Sequence, residues 1–406
     1  MRPLRLGERP RIGLVVAGLA ISTTIGYGVL YYAFSALLEP MGHDLRISTT
    51  TATGALSVSV LVSAVMAVPV GRRLDRHGGR GVMTAGSALA IAAVVAWSQV
   101  QSAAQLYAVF VLIGVASAMV LYQPAFAVVV AITPPARRSN ALLSITLVAG
   151  FANSIFVPLT GQLIHAVGWR RSLIALAVVV AITLPLHGVV LRGTSPAAPA
   201  ARIQGTQSPA RVLRDPGFWL ITTAFVLHNA ALAVIAVHLV SYLTRLGHPP
   251  TVAAGLTGLL GVLSVTGRVL TTIAKRWLPI TLITAAVMTL QGVAVGLLPF
   301  IGRTVAGAAT SLILFGVGFG VASVATPAIL LDRYGDKGYA TISGILATPT
   351  TIGRASAPLG AAALIGTVGY RPVVLGAAAT CLISGAALAV ARWAGTPSGS
   401  RWPHHS

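Results

Sequence analysis

The sequence predicts an all-α polytopic membrane protein, with twelve transmembrane helices in two pseudo-symmetric six-helix bundles. Three observations predict it. Of 406 residues, 55% are hydrophobic and 9% charged, and mean hydropathy is +0.85, values foreign to a water-soluble domain of this size. The apolar residues gather in twelve runs, each near the roughly 20 residues that cross a bilayer core. One polar stretch, residues 192–216, parts six runs from six.

The runs lie near residues 13–38, 50–70, 81–100, 105–132, 139–164, 172–191, 217–243, 252–274, 279–299, 304–331, 339–366 and 372–394. In hydrocarbon every backbone N–H and C=O needs a partner within its own segment, so each run is expected to be a helix. The first follows the basic stretch MRPLRLGERPR. Its apolar part is about twice the length of a signal-peptide core, so it is expected to be retained. Pro124 interrupts the fourth run, and Pro158 the fifth. The single cysteine, Cys381, falls inside the twelfth, and disulfides contribute nothing.

A net charge of +21 suggests nucleic acid until its placement is examined. If the N-terminus is cytoplasmic, twenty of the 28 Lys and Arg residues fall on that side. Six lie opposite: Arg46, Arg170, Arg171, Arg245, Arg303 and Arg371. This positive-inside bias puts both termini in the cytoplasm. The basic loops orient the chain and meet anionic headgroups of the bilayer; no nucleic-acid partner is expected. Arginine preferred over lysine, with abundant Ala, Gly and Val, suggests a GC-rich bacterium and hence its inner (plasma) membrane.

Residues 192–216, RGTSPAAPAARIQGTQSPARVLRDP, have a linker's composition. They would join an N-terminal bundle (1–191) to a C-terminal one (217–406), and the halves echo each other. VPLTGQLIHAVGWRRSL, from Val157, answers APLGAAALIGTVGYRPVV, from Ala357. Pro158 matches Pro358, and Gly168-Trp169-Arg170 matches Gly369-Tyr370-Arg371. Fainter pairs are Tyr122-Gln123-Pro124-Ala125 with Ala325-Thr326-Pro327-Ala328, and Val70-Gly71-Arg72 with Thr266-Gly267-Arg268. The common order indicates a duplicated six-helix unit, the layout of secondary transporters with a mid-membrane substrate site.

Between the second and third runs stands GRRLDRHGGR, a knot of charge flanked by apolar chain. Gly71 and Gly78 allow close approach and positive φ in a tight hairpin. Asp75 can cap a helix start or pair with arginine. Gly71, Asp75, Arg76, Gly78 and Arg80 fall where the signature loop of the major facilitator superfamily has them, and the sequence resembles that superfamily along its whole length. The resemblance implies a gating role, in which the aspartate latches the N-terminal half to the eleventh helix and releases it during transport. A plain positive-inside anchor is the alternative.

Charges at membrane depth are costly and mark function. All seven acids (Glu8, Glu39, Asp44, Asp75, Asp215, Asp332 and Asp336) lie in loops or at run ends. Two bases lie inside: Arg268 in the eighth run and Arg354 in the eleventh. A guanidinium keeps its charge there and needs an anionic or dipolar partner. With no acid nearby in the runs, an anionic substrate is expected to complete the pairing. The alternatives are snorkelling for Arg268 and helix-end carbonyls for Arg354.

IGYGVLYYAFSALLEPM in the first run, FWLITTAFVLHNAALAVIAVHLVSYLTRLG in the seventh and TGRVL in the eighth resemble the monocarboxylate and oxalate/formate branch of the superfamily. That resemblance implies carboxylate binding by an arginine of the eighth run and a basic residue of the eleventh, where Arg268 and Arg354 stand. The chain departs from the branch at three places. Ser264 replaces the aspartate one turn before the arginine, the first-run lysine has no counterpart, and the acidic-Gly entry reads Thr24-Ile25-Gly26. Exchange, or coupling of a proton through histidine, stays open.

His228 and His238 lie ten residues apart on one face of the seventh run. His238 is a candidate proton acceptor and substrate contact, and a neutral, hydrogen-bonded histidine is the plainer alternative. Tyr31 shares a face with Tyr27, and both Tyr31 and the Tyr122-Gln123 pair are candidates to line the cavity. Asn153 and Asn229 are expected to bond neighbouring helices. Gly316-Val317-Gly318-Phe319-Gly320 resembles a nucleotide loop but lies in an apolar run with no preceding strand. No metal-ligand spacing, cofactor motif or catalytic triad occurs, so an enzyme is not expected. A monomeric carrier of small organic anions is expected. A proton-coupled exporter is the alternative, its fifth-run FANSIFVPLTG matching an exporter signature only in part. A non-transporting sensor is a third class; such proteins gain long cytoplasmic extensions, which this sequence does not show.

Overall fold

The computed structural model describes residues 9–192, 209–336 and 338–393; most of the expected linker, 193–208, lies outside them. The described residues form helices and no strand. The membrane helices are α1 Ile12–Leu45, α2 Thr50–His77, α3 Gly79–Ser98, α4 Ala103–Ile132, α5 Pro135–Val167 and α6 Trp169–Val190. Then follow α7 Pro216–Arg245, α8 Pro250–Ala274, α9 Ile280–Ile301, α10 Val305–Tyr334, α11 Tyr339–Val368 and α12 Tyr370–Trp393. Eleven helices among the described residues are long and apolar enough to cross a membrane. The one expected span outside that set is α11. Its 30 residues reach roughly 45 Å at 1.5 Å each, but TPTTIGRASAP at its centre lowers its hydropathy.

Local chemistry sets the ends. Ser48, Ser102, Asp215 and Thr304 cap α2, α4, α7 and α10, each side-chain oxygen accepting from a backbone N–H two or three residues on. Gly168 and Gly369, paired by the repeat, are single-residue joints with φ 77° and 81°, values only glycine adopts freely. Inside α4 the backbone breaks at Leu121 (φ −83°, ψ −155°), where Pro124 has no N–H for the carbonyl of Val120. Residues Gly28–Tyr32 of α1 form a π turn.

Two compact units result. The first comprises Met1–Thr206, Arg268–Thr272 and Thr326–Ser356; the second, Gln207–Gly267, Ile273–Ala325 and Ala357–Ser406. In the first, α2 packs on α4, α3 on α4 and α6, and α1 on α5. Phe34, Trp97 and Phe110 centre its core, with ring centroids 4.9–6.2 Å apart. In the second, α9 packs on α12 and α10, and α7 on α12. Large apolar side chains such as Val65, Val178, Phe300 and Leu359 stay exposed, as helices facing lipid require.

The second unit hides one polar chain. Gln291 donates from Nε2 to the Phe315 carbonyl at 2.8 Å, so its Oε1 accepts from His228 Nε2 at 2.7 Å. Nδ1 of His228 is buried without a hydrogen-bond partner among the described residues. A charged imidazole would need an acceptor there, so His228 sits neutral and ties α7 to α9. Gln291→Leu orphans His228 Nε2 and the Phe315 carbonyl together. The expected cost is about 1–3 kcal/mol for each group, measured as a lower midpoint of thermal unfolding in detergent. An unchanged midpoint would show that the network carries no stability.

Candidate functional site

A cavity of about 330 Å³ lies within the first unit, walled by α1, α2, α4 and α11. The π turn of α1 gathers Tyr27, Tyr31 and Tyr32 on its side of the cavity. The turn is possible because Gly28 leaves room for the ring of Phe156, which a Cβ would strike. Beyond the Leu121 break, α4 contributes Tyr122 and Gln123. Its ring centroid lies 4.7 Å from that of Tyr27. From α2 come Ser59 and Ser63, four apart on one face.

The fourth wall carries the charge. Ala347, Thr351 and Arg354 project from one face of α11 into the cavity. Close packing on α2 fixes that face. Thr348 Oγ1 donates to the Ala64 carbonyl at 2.6 Å, and a Cβ on Gly344 would stand 2.6 Å from the Ala67 carbonyl. Arg354 is exposed, and among the described residues no hydrogen bond or ion pair engages its guanidinium. No carboxylate lines the cavity either. The site can therefore offer an anion one cation, several hydroxyls and an amide.

Of the residues singled out in the sequence, Arg354, Tyr31, Tyr122 and Gln123 meet here. Arg268 does not line the cavity. It donates from Nη1 to the Thr146 carbonyl at 3.0 Å. His238 belongs to the second unit, with Nε2 3.1 Å from the Pro358 carbonyl and its ring edge-on to Tyr370. Facing a carbonyl, Nε2 is the ring nitrogen that carries the donated proton. Ser59, Ser63 and Thr351 escaped the sequence reading. Polar residues four apart in an apolar run were the signal for the serines; nothing local marks Thr351.

The GRRLDRHGGR stretch is no loop. Helix α2 runs on to His77, Gly78 (φ 78°, ψ 175°) is the whole joint, and α3 begins at Gly79. Arg76 and His77 stay helical because cations suit a helix C-terminus. Asp75 reaches the first turn of α11. Its Oδ1 accepts from the Ala340 N–H at 3.1 Å, and Oδ2 from the Thr341 N–H at 2.8 Å and hydroxyl at 2.5 Å. A Cβ on Gly71 would collide with the Ala340 carbonyl, so glycine is needed for this approach. Arg80 Nε donates to the Gly188 carbonyl at 2.9 Å, and Arg76 is exposed. A second tie, unmarked in the sequence, joins Arg138 to Asp336 at 2.8 Å.

Residues 19–358 match the family description "Major Facilitator Superfamily". The chain belongs to that superfamily. Membership makes it a membrane transporter of small molecules, not an enzyme. Within the superfamily it is 28% identical over 316 residues to monocarboxylate transporter 13 of Rattus norvegicus, covering 76% of this chain and 69% of that one. Among solved structures, the human organic anion transporter MFSD10 (TETRAN) superposes with TM-score 0.70 at 18% identity, over 95% of this chain and 100% of that one. The E. coli fucose:proton symporter superposes with TM-score 0.73 at 13% identity, over 95% and 99%. These likenesses show the superfamily fold.

Proposed function

We propose that the chain is a secondary active transporter that carries small organic anions, mono- or dicarboxylates, by alternating access of two six-helix bundles (1–191 and 217–406). The observation that supports it is Arg354: a cation lining the cavity, unpaired among the described residues and facing no carboxylate there. A guanidinium matches a carboxylate with a bidentate fork. The likeness to a monocarboxylate transporter supports a carboxylate substrate, and the departures at Ser264 and the first helix argue against proton symport by that branch's residues, which leaves exchange, or proton coupling through histidine. The protein sits in a bacterial inner membrane as a monomer, with Asp75 and both termini on the cytoplasmic face.

Proteoliposomes test this with labelled lactate, pyruvate, oxalate and formate. Saturable uptake is expected, faster when the vesicles are preloaded with the same acid. No uptake of any acid, with extrusion of lipophilic cations against a proton gradient, would establish an exporter instead.

A further inference from the structure

We infer that the cavity selects aromatic monocarboxylates, rather than two- or three-carbon acids or dianions, an inference that rests on the anion-carrier assignment above. Size speaks first. At ~30 Å³ per water, about 330 Å³ holds roughly eleven waters. A three-carbon acid with about six non-hydrogen atoms fills around half of that. Pockets of this volume suit larger ligands.

The lining speaks to shape. Tyr31 and Tyr32 meet edge-on at 5.1 Å, Tyr32 and Tyr27 lie 6.4 Å apart, and Tyr27 and Tyr122 lie 4.7 Å apart. These four rings make one continuous wall on the cavity, and Tyr31 is 37% exposed. Rings prefer offset or edge-to-face partners, and a flat ligand ring would extend the series. Small aliphatic acids gain nothing from such a wall.

Charge supplies the third constraint. Arg354 is the one cation among the described lining residues, and no acid lines the cavity to meet an ammonium group. One carboxylate is satisfied; a second would be desolvated without a partner. The matched ligand carries its ring and a single negative charge.

Thermal unfolding of the full chain in detergent tests each constraint with sodium benzoate, phthalate and lactate at equal ionic strength. A ligand that binds the folded state raises the midpoint in proportion to ln(1 + [L]/Kd). Benzoate is expected to act at concentrations at least tenfold below lactate, and phthalate to resemble lactate. Tyr31→Leu should cut the preference for benzoate over lactate several-fold, and Tyr31→Phe should keep it. Equal potency of benzoate and lactate, stronger stabilisation by phthalate, or a preference untouched by Tyr31→Leu would each overturn the assignment while leaving an anion site intact. If no acid shifts the midpoint, the anion-carrier assignment falls and this inference falls with it.

Discussion

Arg354→Gln is expected to abolish saturable uptake of organic anions while leaving the chain folded. The guanidinium lines the cavity and has no hydrogen-bond or ion-pair partner among the described residues, so little structure depends on it. Each hydrogen bond to a charged group contributes about 1.5–3 kcal/mol. Losing a two-bond fork costs roughly 3–6 kcal/mol, a hundredfold to ten-thousandfold in affinity at 1.4 kcal/mol per decade. Glutamine keeps polarity and similar reach but offers one neutral amide. Arg354→Lys should fall between, since an ammonium keeps the charge and loses the planar fork.

Stability separates this role from a structural one. An arginine at membrane depth costs up to about 3.5 kcal/mol on insertion scales, discounted here because the side chain is exposed. Removing it should leave the unfolding midpoint unchanged or slightly raised. A lower midpoint with normal uptake would show that Arg354 holds the helices rather than the substrate.

What the sequence made legible depended on range. Spans could be read because hydrocarbon forces each helix to satisfy itself locally, and α11 still emerged at the expected place despite its polar centre. Arg354, Tyr31, Tyr122 and Gln123 were legible because polar groups stand out in apolar runs. The Arg138–Asp336 tie and Thr351 were not, since no local pattern encodes partners 198 residues apart or the face that α11 turns toward α2. Gly71 shows both sides. In the sequence alone, that glycine reads as part of a hairpin. The actual cause is a helix whose backbone must approach the Ala340 carbonyl. Arg268 and His238 meet the backbone carbonyls of Thr146 and Pro358, and carbonyls leave no mark in a sequence.

Asp75→Asn should produce the second large effect, an α2 end that no longer holds α11. The carboxylate accepts from two of the four N–H groups that the start of any helix leaves without partners. It also places negative charge at the positive end of the helix dipole. Asparagine keeps one oxygen and turns an NH2 toward backbone donors. Orphaning a buried donor costs about 1–3 kcal/mol, and losing the charge adds about 0.3–1 kcal/mol. Together these shift the held state by roughly tenfold to several-hundredfold. Maleimide labelling of an Ala340→Cys background reads the shift, because Cys381, the one native thiol, is buried. Labelling should accelerate on Asp75→Asn, and uptake should fall at least tenfold. The Arg138–Asp336 pair supplies a control. Its aspartate side chain is 52% exposed, and such surface pairs contribute about 0–1 kcal/mol, so Arg138→Gln should change both measurements less than a few-fold. If Asp75→Asn is equally mild, the carboxylate is a dispensable cap, and close backbone packing at Gly71 and Gly344 holds α11 on α2 unaided.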